Sequence, residues 1–160
     1  MVIWQSAIKS LDDKVTRYLP ALAGSGYDQA TVRQVLAMRS GVKWSEKYAD
    51  PTSDRRMMLK LQTEQVPGSA LKFMASLPSA ATPGTRTNYS TGETQVLGQL
   101  VSAAVGKPLA QYLSEKIWAP YGMQTDANWW LDGPNGNEVG GSGISATLED
   151  YGRFGQFVLS

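Results

Sequence analysis

Neither histidine nor cysteine occurs in the 160 residues, and that sets which chemistry the side chains can do. Ser-His-Asp and Cys-His catalysis, zinc fingers, iron–sulfur and haem ligation and disulfides are excluded. A serine nucleophile is then left to rely on a lysine one helical turn further on, which accepts the hydroxyl proton if its ammonium pKa is lowered. Three pairs have this Ser-x-x-Lys spacing: Ser6/Lys9, Ser40/Lys43 and Ser69/Lys72. Ser6/Lys9 runs into the turn around Leu11, Asp12 and Asp13, and Ser40 stands at a helix end before Gly41, so neither pair has helical geometry secured. Ser69/Lys72 opens a helix, but Pro67-Gly68-Ser69 reads as an ordinary helix start with Ser69 as N-cap and Lys72 in solvent.

A different arrangement lies in TPGTRTNYSTGETQVL, residues 82–97. A Pro-Gly turn and an extended run deliver Tyr89 to the mouth of the strongest helix, where its phenol can pass a proton if ammonium groups lower its pKa from about 10. The same place suits a ring that packs on the following helical turns. The glycine-rich segment 133–143 (GPNGNEVGGSG) reads as a surface loop, the alternative being a close approach of backbone to another part of the chain. A phosphate cradle is not expected there, because no Lys-Ser/Thr follows.

Six helical runs must position these residues. Thr31 and Gln34 have capping-box spacing, with Val32, Val35 and Leu36 on one face and Gly41 as a stop. Ser53 leads 54–61, and 69–77 ends at Pro78. Residues 93–105 carry Val96, Leu97, Leu100, Val101, Ala104 and Val105 along one side before Gly106 and Pro108. Residues 109–118 repeat the pattern, and Thr147 and Asp150 open a last run with Leu148, Tyr151, Phe154 and Val158. Strand signals are weak and confined to 41–44 and 129–131, so the expected class is mainly α. The length suits one domain. A net charge of +1, from 15 basic and 14 acidic residues, gives no basic face for nucleic acid. No window is apolar enough for a membrane helix, no signal-peptide pattern opens the chain, and no cofactor or metal is expected.

Four segments together resemble one family: SLDDKVTRYLPAL; TVRQVLAMRSGVKWSEKYADPTSD; PGTRTNYSTGETQVLGQLVSAAVGKPLAQYLSEKIWAPYGM; and GGSGISATLEDYGRFGQF. They are similar to the serine beta-lactamase-like hydrolases, which include class C beta-lactamases, penicillin-binding-protein-like esterases and, most closely, 6-aminohexanoate-dimer hydrolases. The resemblance implies that Tyr89-Ser90-Thr91 is the family's Tyr-x-Asn/Ser element, with Tyr89 as the proton-relay tyrosine. Thr91 stands where class C beta-lactamases carry Asn, which points towards an esterase or amidase. Tyr48 resembles a tyrosine that a mobile loop brings over bound substrate; read from the sequence alone, it is equally a loop aromatic docked on the core.

In that family the nucleophilic Ser-x-x-Lys helix lies upstream of SLDD, and the third motif lies beyond the stretch that ends this chain. The resemblance therefore implies that residues 1–160 are the helical part of one beta-lactamase-related α+β domain, truncated at both ends and lacking most of the antiparallel sheet. The expected function is a fragment of a serine hydrolase that cleaves a small-molecule ester, amide or lactam through an acyl-enzyme, inactive by itself. The alternative is a non-catalytic binding or regulatory module with the same helical body. Bacterial cytoplasm and periplasm are both compatible with the sequence.

Overall fold

The computed structural model describes residues 7–160. The opening MVIWQS, and with it Ser6 of the first Ser-x-x-Lys pair, lies outside the described residues. Six α-helices follow in order: α1 (Val32–Leu36), α2 (Asp54–Glu64), α3 (Ser69–Ser76), α4 (Thr91–Val105), α5 (Leu109–Leu113) and α6 (Leu148–Leu159). One antiparallel pair, β1 (Asn128–Trp129) and β2 (Ile144–Ser145), sets Asn128 opposite Ser145 and Trp129 opposite Ile144. The expected mainly helical body is therefore what the chain forms, and the other strand signal reduces to a single bridge between Val42 and Ser79.

Local chemistry accounts for most helix ends. Thr31 and Gln34 close a reciprocal capping box on α1: Gln34 N donates to Thr31 Oγ1 and Thr31 N to Gln34 Oε1. The Ser53 hydroxyl caps α2, which runs past the expected residue 61 until Gln65 turns left-handed at φ 55° ahead of Pro67. Helix α4 begins at Thr91 rather than residue 93, because Ser90 Oγ accepts from Glu93 N and so acts as the cap. It ends where Gly106 turns left-handed and its N–H returns to Ser102 O.

Two expectations fail at these ends. Ser69 is not the N-cap of α3; Gly68 is, at φ 76°, and its own N–H donates to Asp132 Oδ2 at 2.9 Å, a carboxylate from far along the chain. The single helix expected over 109–118 keeps α-geometry only to Leu113 and continues as a π-turn over Ser114–Trp118.

Helix α4 is the axis of the fold and packs against α1, α2, α3 and α5. Its Val96 and Leu100 join Leu22, Tyr27, Val32, Val35, Met58 and Met74 in one buried cluster. Each such side chain contributes about 1.5–3 kcal/mol by leaving water. The opposite flank of α4 is polar yet covered: Gln95 and Gln99 are buried. What covers them is the glycine-rich segment 133–143, and its reading as a surface loop is thereby corrected. Val139 and Glu138 are buried, Gly140 N donates to Gln95 Oε1 at 2.8 Å, and Gln99 reaches Glu138 O. A Cβ on Gly140 would lie 2.8 Å from Thr94 O and 3.1 Å from Gly98 Cα, so the segment needs glycine to lie against the helix.

Asp150, in the first turn of α6, is buried and accepts from Gln124 N, Thr125 N and the Thr125 hydroxyl, which ties the last helix to the preceding turn. The outer side of α6 leaves Leu148 and Leu159 almost wholly exposed. No helix among the described residues is long and apolar enough to cross a membrane. Replacing Gly140 with Ala should push the segment off α4 and cost about 1–3 kcal/mol, read as a lower urea midpoint, whereas the same change at Gly152, where a Cβ would meet nothing within 4 Å, should be neutral or slightly stabilising.

Candidate active site

The backbone that carries Tyr89 is suspended between two parts of the chain. Gly41, at φ 80°, lies against residue 81 so closely that a Cβ would collide with Ala81 O. From there the chain runs extended, with Lys43 N donating to Pro78 O and Ala80 N to Gly41 O. Asn88 spans the gap: its N–H donates to Met38 O at 2.9 Å and its Nδ2 to Trp44 O at 3.1 Å. Beyond it Ser90 and Thr91 are buried as α4 begins, while Tyr89, just before them, is 63% exposed. The phenol thus stands in solvent at the helix mouth, and the ring does not pack into the core.

Beside it the extended stretch puts Trp44, Glu46 and Tyr48 on one side, as alternate residues do. Glu46 is the junction. Its Oε2 accepts from Trp44 Nε1 and from Thr91 N at 3.0 Å, and its Oε1 accepts from the Thr91 hydroxyl and from Tyr48 Oη at 3.0 Å. Burial works to raise the Glu46 pKa, but these donors outweigh it and hold the carboxyl below the usual glutamate value. Tyr48 is 62% exposed, so it is not docked on the core either. The Arg55 guanidinium lies 5.5 Å from its ring centroid, in cation–π range, and Arg55 Nε is 3.8 Å from Glu46 Oε1.

Under the first turn of α4 lies a second carboxyl, Glu93, which is buried. Ser40 Oγ donates to Glu93 Oε1 through a short hydrogen bond, whereas Oε2 has no partner among the described residues. Burial pushes the Glu93 pKa up to about 7, and the bonds from Ser40 only partly oppose the shift. The pKa of the buried Tyr27 phenol, also without a partner among the described residues, is pushed up first by burial and then by the charge on Glu93.

The beta-lactamase family model matches residues 3–160. The chain belongs to the beta-lactamase family. It is 31% identical over 150 residues to 6-aminohexanoate-dimer hydrolase from Paenarthrobacter ureafaciens, covering 91% of this chain and 38% of that protein. The solved structure of a Bacillus anthracis protein provisionally named as a 6-aminohexanoate-dimer hydrolase superposes with a TM-score of 0.82 at 24% identity, over 97% of this chain and 42% of that one. A class C beta-lactamase structure superposes with a TM-score of 0.66 at 20% identity, over 96% and 45% respectively. The chain thus spans about two fifths of the length of the relatives it matches, and its helices are the helical part of the beta-lactamase fold.

Within this beta-lactamase-family body the structure brings Tyr48 and Thr91 onto one carboxylate, with Tyr89 two residues before Thr91. In neither of the two Ser-x-x-Lys pairs that lie within the described residues is the serine hydrogen-bonded to its lysine. Ser40 is buried and its proton is spent on Glu93, while Lys43 is exposed. Ser69 Oγ is buried without a hydrogen-bond partner, and Lys72 is exposed. Sequence reasoning passed over Glu46, Asn88 and Glu93. The alternation in Trp44-x-Glu46-x-Tyr48 was the available signal for the first; Glu93 was read only as the first residue of a helix over 93–105, which in the structure begins at Thr91.

Glu93 makes stability depend on pH with a definite sign. Its folded pKa of about 7 exceeds the ordinary glutamate value of 4.5, so the folded chain holds a proton that the unfolded chain releases. That stabilisation is fully present below 4.5, declines as pH rises through about 7, and amounts to something on the order of 3 kcal/mol. Between pH 5 and pH 8 the chain should lose more stability than Glu93→Gln does, as measured by urea unfolding of both proteins. Parallel pH profiles would show that Glu93 does not hold this proton.

Proposed function

We propose that the chain is the helical part of a serine hydrolase that cleaves a small ester, amide or lactam through an acyl-enzyme, with Tyr89 relaying the proton and Tyr48 closing over substrate. The observation that carries this reading is an exposed phenol set by buried neighbours at the mouth of α4, beside a second exposed phenol held on Glu46. The relative in Paenarthrobacter ureafaciens is named as a hydrolase of 6-aminohexanoate dimer, which supports an amide or ester over a beta-lactam as the bond cleaved. Thr91 in place of Asn supports the same choice.

In this mechanism a serine carried on sequence outside residues 1–160 attacks the carbonyl carbon and gives its proton to a partner lysine. Tyr89 passes a proton to the leaving alcohol or amine as the carbon–heteroatom bond breaks, leaving an acyl-serine. Water then gives a proton along the same route and attacks the acyl carbon; the bond to the serine oxygen breaks, the carboxylic acid leaves, and the proton returns to the serine. Backbone N–H groups that stabilise the oxyanion lie outside this chain as well. Residues 1–160 then form one helical portion of a two-part domain and turn over nothing on their own. Coverage of 38% of the Paenarthrobacter relative supports this division of labour.

Two measurements test it. Incubated with a fluorophosphonate, the 160-residue chain should gain no covalent mass, and stoichiometric labelling of Ser69 or Ser40 would overturn the placement of the nucleophile. In a longer hydrolase that includes this helical part, Tyr89→Phe keeps the ring and removes only the hydroxyl. Turnover should then fall by about 100- to 10,000-fold, with KM and melting temperature nearly unchanged. Retained activity combined with lost stability would make Tyr89 a packing residue and the proposed relay wrong.

A further inference from the structure

One carboxylate serves both tyrosine-bearing segments, and the geometry of its bonds divides them into fixed and releasable. Trp44 and Thr91 are buried, so the indole N–H, the Thr91 N–H and the Thr91 hydroxyl reach Glu46 where water does not compete. The fourth donor, Tyr48 Oη at 3.0 Å, belongs to an exposed side chain and exchanges readily for water. Two bonds, both from Thr91, therefore fasten Glu46 to the start of α4, a third from Trp44 braces the carboxylate within its own loop, and one holds a ring that is free to swing without disturbing the others.

We propose that Glu46 is a positioning residue: its carboxylate fixes the register of the Tyr89-Ser90-Thr91 segment and parks the Tyr48 phenol beside it. The proposal rests on the reading of Tyr89 and Tyr48 given above. Arg55 supports it from α2, with its guanidinium over the Tyr48 ring and its Nε 3.8 Å from Glu46 Oε1, so that parking the ring also screens the ion pair. A second consequence concerns Thr91. Its one hydroxyl proton is spent on Glu46, so what the third position of this segment offers a substrate is set by the Thr91–Glu46 pair and not by Thr91 alone.

The test uses the 160-residue chain, labelled with nitrogen-15 and with 3-fluorotyrosine, and requires no turnover. In Glu46→Gln, with an unchanged far-UV circular dichroism spectrum, the Tyr48 fluorine resonance should move and the Thr91 amide should exchange about tenfold faster or more. Tyr48→Phe should shift the Trp44 indole resonance, through the shared carboxylate, yet leave Thr91 exchange nearly unchanged. Glu46→Gln without effect on Tyr48 and Thr91 overturns the proposal, as does Tyr48→Phe loosening Thr91 as much as Glu46→Gln. Should Glu46→Gln fail to fold, Thr91→Val removes only the hydroxyl donor, and an unmoved Tyr48 fluorine resonance then overturns it. A negative result in these spectra leaves the relay role of Tyr89 standing, and loss of that role leaves the spectra as described.

Discussion

A carboxylate withdrawn from water is stable only where donors surround it, and Glu46 meets that condition with groups from its own loop and from α4, with the Arg55 cation on α2 nearby. Glu46 and the Thr91 it fixes stand 45 positions apart in the sequence. The loop has to run extended from Gly41 to bring Trp44 and Glu46 to the same side, and α4 has to start at Thr91 for its first free N–H to meet the carboxylate. The helix N-terminus supplies unpaired N–H groups and a favourable field for an anion. Tyr89, one residue before the cap, inherits a fixed exit direction from that arrangement without being buried itself.

The same device recurs elsewhere in the chain. Asp132 accepts from Gly68 N ahead of α3 and from Asn137 N within the glycine-rich segment. Glu138 accepts from Leu109 N and Ala110 N at the start of α5. Asp150 gathers Gln124 N and Thr125 N, and its pKa is held well below the ordinary value by the Thr125 hydroxyl and these amides, against the cost of burial. Each of these carboxylates joins two stretches far apart in sequence through backbone donors that would otherwise be left unpaired. With only short strand pairs, the body uses buried acid–amide contacts where a sheet would use ladder hydrogen bonds.

How far the sequence foretold this depends on the range of the interaction. The Thr31 capping box, the Ser53 cap, the Gly106 stop and the apolar face of α4 are local, and each was legible in residue type and spacing. Ser69 was misread because its place as N-cap is taken by Gly68, whose amide is satisfied by Asp132 from 64 positions away. The 133–143 segment was misread for a related reason: its glycines register a need for contact but do not say with what, and Gln95 and Gln99, the polar groups that receive it, look solvent-facing on a helical wheel. In the candidate site the tyrosines were visible as types in places, whereas Glu46, which joins the segments that carry them through Tyr48 and Thr91, became apparent only once α4 and the loop were side by side.

A protonated Glu93 also changes what folding does to the solution around the protein. The formal charge of +1 at pH 7 counts every carboxyl as ionised; each folded chain in which Glu93 holds its proton carries one more positive charge than that count. Between pH 4.5 and about 7, folding is accordingly a proton-uptake reaction, and unfolding acidifies an unbuffered sample. The heat of unfolding measured in a calorimeter then contains the ionisation heat of whichever buffer receives that proton. The enthalpies found in phosphate and in an amine buffer will differ for this chain although its structure is the same in both.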